Sequence, residues 1–232
     1  MPSLTDQRML ITGGSAGIGF EIARAALEQG ARVVLNGRDA ARLEAAADKL
    51  HVPFVAGDVG TDAPAIMASA VEQLGGLDVL VNNAGWGRRM TLEELDADVM
   101  HEIWRTNVLG AALMAQAALP HFEVAGAGAL VNIASTAALK GYAGGSAYSS
   151  SKFALASLSQ CWAAELRPRN IRVLQVNPSE VQTGFGGRDL SAGMNPRKLF
   201  AEDVAHAVLG ALTMHPRGFV PELTIHATNP WE

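Results

Sequence analysis

One cysteine, Cys161, is the only thiol in this 232-residue chain. A single thiol forms no internal disulfide, and the chain is expected in a reducing compartment, the cytoplasm. Cys161 falls in an apolar helical stretch, so it is expected as a packed core thiol and not as a nucleophile. Metal ligands are equally thin. The histidines are His51, His101, His121, His206, His215 and His226; none pair at i,i+4 and no His/Cys cluster exists, so no metal site is expected. Positive charge is not in excess: the formal net charge is -5, which argues against a nucleic-acid partner, because backbone binding needs a concentrated basic surface. No uninterrupted apolar run reaches the ~18 residues of a membrane span. The stretch from Met1 to Thr12 carries Asp6 and Arg8 and has no long apolar core, so no signal peptide is expected. Low-complexity segments and long linkers are missing too, and with them any reason to divide the chain.

Hydrophobic residues make up 49% of the chain and charged residues 18%, enough for a buried core, and the length suits one large α/β domain better than two small ones. Apolar runs at Arg8–Thr12, Arg32–Asn36, Pro53–Ala56, Leu77–Asn82, Ala129–Ser135 and Ile171–Asn177 read as buried strands. Helical patterns at Ile18–Gln29, Ala40–Leu50, Ala63–Leu74, Ala97–Phe122 and Ala147–Leu166 alternate with them, and another follows at Ala201–Met214. Gly30 and Pro168 act as stop signals after the first and the longest of these. Phe219–His226 reads as a last strand that Pro221 restricts to a sheet edge. Such alternation implies a parallel sheet covered on both faces. Right-handed crossovers make it doubly wound, with about seven strands in one domain over 1–232 and ligands at the carboxyl ends of the strands near the switch point. Gly184 to Pro196 holds four glycines and one proline with little periodicity; residues 184–200 are the expected substrate lid.

Between the first strand and the first helix stands Gly13-Gly14-Ser15-Ala16-Gly17-Ile18-Gly19. Gly13 can take positive φ, Gly17 and Gly19 permit close backbone passage and helix packing, and the helix N-terminus offers free N–H groups to a pyrophosphate. The end of the second strand, Asn36-Gly37-Arg38, should decide between cofactors. An acid there would hold the ribose 2′-hydroxyl of NAD(H) and repel a 2′-phosphate, whereas an arginine pairs with that phosphate. Asn36 repels nothing and Arg38 follows, so NADP(H) is expected over NAD(H); the bland alternative makes Arg38 a solvated strand-end residue. Asp58-Val59 follows the third strand, where Asp58 could equally be a helix cap. Asn82-Asn83-Ala84-Gly85 follows the fourth, with small residues for a close pass and asparagines to pin the backbone.

Ser135 closes the fifth strand, and Tyr148-Ser-Ser-Ser-Lys152 opens the next helix. Proton donation to a nascent alkoxide suits tyrosine, whose ordinary pKa near ~10 must fall, as a neighbouring cation would make it do. Tyr148 and Lys152 are four apart and share a helix face. Ser135 can donate to a substrate oxygen.

These motifs, in this order, resemble the short-chain dehydrogenase/reductase family over most of the chain, fading after about Thr183. Within it they are similar to the NADP(H)-preferring 3-oxoacyl-carrier-protein reductases and carbonyl reductases. The resemblance implies a Rossmann fold and a catalytic tetrad of Asn107, Ser135, Tyr148 and Lys152, with Asn107 holding water in a proton relay that ends at Lys152. It implies that Gly13, Ser15, Gly17, Ile18, Gly19, Arg38, Asp58, Val59, Asn83, Ala84, Gly85, Lys152, Pro178, Val181 and Thr183 bind NADP(H). Asp58 and Val59 would meet the adenine, Asn83 to Gly85 the adenine-ribose side, and Pro178, Val181 and Thr183 the nicotinamide, while Asn82 steadies the sheet. Ser179 departs from the glycine usual in the family. Relatives pair their two long helices, here those of Asn107 and Tyr148, across a dimer axis, so a homodimer or homotetramer is expected.

The activity expected is reversible NADPH-dependent reduction of a small ketone or aldehyde to an alcohol by direct hydride transfer. A 3-oxoacyl-thioester reductase and a non-catalytic NADP(H)-binding regulator are the rival readings; an epimerase or dehydratase of the extended relatives is disfavoured by the short C-terminal region. Arg88 and Arg89 could steer an anionic substrate or an acidic carrier protein, or be plain solvated loop. Glu180 could face substrate or water. Trp86, Tyr142 and Phe185 fall in loops that should border the pocket.

Overall fold

Strand residues of alternating direction send apolar side chains to both sides of one sheet, and helices cover each side. The protein is described here by a computed structural model covering residues 3–187, 191, 193–215 and 217–229. The strands are β1 (Arg8–Thr12), β2 (Arg32–Gly37), β3 (Phe54–Ala56), β4 (Val79–Asn82), β5 (Gly128–Ile133), β6 (Ile171–Pro178) and β7 (Glu222–Ile225). They form a single sheet in the order β3-β2-β1-β4-β5-β6-β7, parallel at every pairing. The helices are α1 (Gly17–Glu28), α2 (Ala40–Leu50), α3 (Ala63–Leu74), α4 (Ala97–Trp104), α5 (Ala111–Ala125), α6 (Ser146–Leu166) and α7 (Ala201–Leu212).

Met9 and Ile11 of β1 point into one core with Val33, Leu35, Val79 and Val81, closed by Ile22 of α1, Leu43 of α2 and Val208 of α7. Leu10 points the other way and joins Val34, Leu80 and Leu130 under Met67 of α3, Met114 and Phe122 of α5, and Leu166 of α6. Each fully buried Leu, Ile, Val, Phe or Met contributes about 1.5–3 kcal/mol, so slipping a strand by one residue would forfeit both cores at once. Asp39 starts α2 by accepting from the Arg42 N–H at 3.1 Å, and Asp96 starts α4 in the same way. Pro168 lies in a 3₁₀ turn, Arg167–Arg169, that ends the α6 run.

Several expected boundaries move. β5 ends at Ile133, not Ser135, which releases Ser135 from the ladder. β4 begins at Val79 because Asp78 turns its carboxylate to the Arg8 guanidinium, 2.7 Å away. β7 begins at Glu222, just past Pro221, on the edge beside β6. The single helix expected over Ala97–Phe122 is three pieces: α4, a π-helical segment Arg105–Gly110, and α5. Cys161 is exposed, not packed: the buried stripe of α6 runs through Lys152, Leu155, Ala156, Ser159 and Leu166, and position 161 lies off it. By length and composition alone Ala97–Ala125 could cross a membrane, with a mean hydropathy of 1.3 in its most apolar window. In the fold Met114, Ala115, Ala118 and Phe122 turn that apolarity onto the sheet. Of the expected lid, Arg188, Asp189, Leu190 and Ala192 lie outside the described residues.

Candidate active site

β1 and β4 lie side by side while their helices depart to opposite faces, so the sheet splits its connections at that point. Thr12 stitches the two ends: its hydroxyl donates to the Val81 carbonyl and accepts from the N–H groups of Asn83 and Ala84, both at 3.0 Å. Asn83 in turn donates to the carbonyls of Thr12 and Gly13, each at 3.0 Å. Gly13 holds φ +63°, and a Cβ there would stand 2.9 Å from the Ala84 Cα. The first glycine turn and the Asn-Asn-Ala-Gly turn are thus one packed unit.

Above it opens a cleft of about 640 Å³ lined by Gly13, Ser15, Arg38, Val59, Ala84 and Gly85, as the sequence anticipates. Asn36 and Gly37, the strand end expected to discriminate cofactors, line it too, and Asp39, Arg42, Gly57 and Thr106 join them unannounced. Arg42 had a signal: it stands four after Arg38, in the first turn of a helix whose Asp39 cap the sequence shows. Thr106 had none, because it sits in the π segment. The Oδ1 of Asn36 and the Oγ1 of Thr106 are buried without a hydrogen-bond partner among the described residues. Orphan acceptors beside a Cβ-free cradle and two guanidiniums suit a hydroxyl-rich, anionic ligand such as a dinucleotide. Asp58 ties its own loop to two arginines: its carboxylate accepts from the Gly60 N–H at 2.8 Å and from Arg105 at 3.1 Å, with Arg38 of the cleft 3.8 Å away. Ile18 and Gly19 begin α1; a Cβ on Gly19 would meet the Asn83 carboxamide at 2.5 Å. Thr183 packs on Gly17, where a Cβ would be 3.1 Å from its methyl. Pro178 ends β6, and Val181 bridges to Leu199.

Beside this cleft the release of Ser135 from β5 matters. Its Oγ accepts from the Ala137 N–H at 3.1 Å, capping a short 3₁₀ turn. Tyr148 is half-buried by area, yet burial dominates its ionisation. It pushes the phenol up to about 12, against the pull of a hydrogen bond with Ser135. Lys152 is buried, its Nζ donating to the Ile133 carbonyl at 2.8 Å and lying 5.7 Å from the centre of the Tyr148 ring. Burial depresses its pKa to about 8. For Tyr148 the cost of taking a phenolate out of water exceeds what its one lowering partner, Ser135, returns.

Asn107, on the π segment, is buried and fully engaged. Its Oδ1 accepts from the Trp86 N–H at 3.0 Å, and its Nδ2 donates to the Trp86 carbonyl at 2.9 Å and to Ser151 Oγ at 3.0 Å. A Cβ on Gly85 would stand 3.1 Å from Asn107 Oδ1 and 3.6 Å from Lys152 Nζ, so both groups border the same glycine. π turns inside α-helices are frequent at functional sites; nothing in the sequence marks this one. Asn82 binds the Ala111 carbonyl and Asn132 and steadies the sheet. On the rim, the Phe185 ring tilts over Tyr148 at 5.5 Å, and Glu180 pairs with Lys198 at 2.8 Å.

The comparisons with known proteins agree with this geometry. The short chain dehydrogenase family profile matches residues 7–191. An uncharacterized oxidoreductase of Staphylococcus aureus is 33% identical over 97% of this chain and 99% of its own. An alcohol dehydrogenase from the archaeon Thermococcus sibiricus, complexed with 5-hydroxy-NADP, superposes with a TM-score of 0.89 at 29% identity, covering 97% of this chain and 98% of that one. A 3-ketoacyl-(acyl-carrier-protein) reductase from Brucella melitensis, complexed with NADH, has a TM-score of 0.89 at 28% identity, covering 97% of this chain and 99% of its own. The chain belongs to the short-chain dehydrogenase family of NAD(P)-dependent oxidoreductases.

Proposed function

We propose that this protein is an NADPH-dependent reductase of a ketone or aldehyde, reversible as an alcohol dehydrogenase. The observation that carries the reading is the meeting of Ser135, Tyr148, Lys152 and Asn107 beside a cleft built from the ends of β1 to β4. Gly13, Ser15, Gly17, Ile18 and Gly19 would receive the pyrophosphate. Val59, Ala84 and Gly85 would receive the adenosine half, with Asn83 and Asp58 acting by holding the loop and the arginines. Pro178, Val181 and Thr183 would border the nicotinamide, and Lys152 its ribose. When bound, the cofactor supplies the hydride taken by the carbonyl carbon. Ser135 polarises the carbonyl oxygen, and Tyr148, still protonated at neutral pH, delivers the proton. Lys152 stabilises the phenolate left behind, and Asn107 holds the relay ground next to it.

Arg38 and Arg42 are the residues assigned to the 2′-phosphate. Arg38→Ala is expected to raise KM for NADPH at least tenfold, with kcat nearly kept and KM for NADH little changed; adding Arg42→Ala deepens the loss. Cofactor titrations at fixed substrate test this, and equal effects on both cofactors would remove Arg38 from that role. NADH is kept as the lesser option, since the Brucella reductase is complexed with it.

The pH dependence follows from Lys152. Its proton is lost near pH 8, and with it the charge that stabilises the phenolate, so kcat/KM for reduction should be flat at lower pH and fall above about 8. A profile flat to pH 10 would detach Lys152 from the reaction.

A 3-oxoacyl-thioester reductase is the second reading, favoured by the likeness to the Brucella reductase. We also propose a homodimer or homotetramer. Leu109 beside α5, Val124 on it and Phe153 on α6 are exposed large apolar groups, and light scattering of the purified protein reads the assembly directly. The lone exposed thiol of Cys161 suits the cytoplasm.

A further inference from the structure

Arg89 is an exposed cation held in place by its neighbours. Its guanidinium lies over the Tyr142 ring, 5.7 Å from the centroid, and its Nη2 donates to the Ala143 carbonyl at 3.3 Å. No carboxylate stands within ion-pair distance of it among the described residues. Its neighbour Arg88 differs, since its charge is felt by Glu94. The backbone around Arg89 is fixed as well: the Met90 N–H donates to the Gly144 carbonyl at 2.9 Å, and Met90 bridges to Gly145. Tyr142 lies flat against Gly145, where a Cβ would meet its ring at 2.7 Å.

That ordered pair is tied to the two segments that flank Tyr148. Gly87, two residues before Arg89, runs against the Tyr148 ring, where a Cβ would be 2.6 Å from Cδ2. Tyr142 packs on Gly145, three residues before Tyr148 at the start of the same helix. Stacking occupies the face of a guanidinium and leaves its edge N–H groups for an anion, and that fork matches a carboxylate in plane. Leu139, exposed on the turn that follows Ser135, and Phe185 over Tyr148 are apolar groups on the flanking loops.

We infer that the substrate is an oxo acid, its carboxylate taken by the guanidinium edge of Arg89 and the hydroxyl of Tyr142 while its ketone oxygen lies at Ser135 and Tyr148. The inference rests on the reductase reading above and names its substrate class. Reduction then yields a hydroxy acid: the carbonyl carbon gains hydride, the oxygen gains the Tyr148 proton, and the carboxylate is unchanged. Arg89 is a specificity residue in this scheme and takes no part in proton transfer.

The test uses matched pairs, each a short straight-chain oxo acid and its methyl ester, with the ketone two, three or four carbons along. Initial rates with NADPH should show kcat/KM for one acid exceeding that for its ester by at least about tenfold, the size of one charge-assisted contact. Arg89→Gln should collapse that ratio toward one, and Arg89→Lys should leave it intermediate. An ester equal to or better than its acid overturns the inference, as does a ratio unchanged in Arg89→Gln, or a clear preference for the acyl thioester, which would point to a carrier-linked substrate. If no pair is turned over, the reductase reading is what suffers. Calorimetric titration of the NADPH-loaded protein with propanoate and propanamide then decides the inference by itself. Propanoate binding weakened about tenfold in Arg89→Gln, with propanamide unmoved, supports it; equal binding overturns it. A melting curve of Arg89→Gln within about 2 °C of wild type excludes a folding defect.

Discussion

Tyr148→Phe is expected to lower kcat for carbonyl reduction by about 10²–10⁴-fold, the range a positioned general acid contributes. The Kd for NADPH should stay within about threefold. The substitution removes one hydroxyl and leaves the ring, so the contacts with Gly87 and Phe185 persist and the fold has no reason to change. What would be lost is the proposed proton source: at pH 7 a phenol raised to about 12 is fully protonated. The same high pKa makes the reverse reaction, which needs phenolate, favour alkaline conditions. Single-turnover kinetics with NADPH, alongside cofactor fluorescence titration, separate chemistry from binding. If the variant keeps more than about a tenth of wild-type turnover, the proton comes from elsewhere and the assignment of Tyr148 fails. If wild type and variant bind NADPH alike and neither turns over any carbonyl, the binding-protein reading gains instead.

Lys152→Met should abolish turnover and yet raise stability, by about 2 kcal/mol at pH 7. Lys152 has a folded pKa of about 8 against 10.5 in the unfolded chain. Below pH 8 both states carry the proton, and the folded state bears the whole cost of a buried ammonium. Between pH 8 and 10.5 only the unfolded state remains charged, so wild-type stability rises with pH through that window. Above 10.5 the cost is gone. The difference is worth on the order of 3 kcal/mol, less about 1 kcal/mol for the lost hydrogen bond to the Ile133 carbonyl. In a domain of this size the melting temperature should rise by roughly 4–8 °C. The gain should shrink as pH climbs from 8 toward 10. Tyr148 contributes in the opposite sense, since its folded pKa lies above its unfolded one and its stabilisation fades between pH 10 and 12. Melting curves of wild type and Lys152→Met from pH 6 to 9.5 therefore isolate the lysine. A variant that melts lower at every pH would mean that the hydrogen bond to Ile133 outweighs the desolvation of the charge.

Both results bear on why the site is costly to keep. On the proposed reading, an ammonium beside a phenol, in a pocket bordered by Ile133 and Gly85, is kept for its work on the proton and not for holding the fold together. Function at this position is expected to oppose stability.

Much of this was legible in one dimension. Continuous apolar runs alternating with helical periods dictate a parallel, doubly wound sheet, because strands apolar on both faces must be covered on both faces. The motifs fell at strand ends, so their convergence on one edge followed from chain direction alone. The seventh strand and its edge position were legible through Pro221, which begins nothing that needs its missing N–H.

The remainder depended on the third dimension. The π segment that swings Asn107 onto Trp86 is invisible in sequence, since Arg105–Gly110 is as helical in composition as its flanks. That Asp58 gathers two arginines far apart in sequence, Arg38 and Arg105, is likewise decided only by the fold. Cys161 read as core from its apolar neighbours, whereas burial on α6 follows the angular stripe set by the sheet. The ionisation of Tyr148 and Lys152 shows the division most clearly. Spacing of four guarantees that the two share a helix face. Whether the lysine lowers the phenol or burial raises it depends on how much protein encloses them. Residue types and their order determined which groups could act here. Only packing decided their charge, because solvation energy is a property of the surroundings and not of the chain.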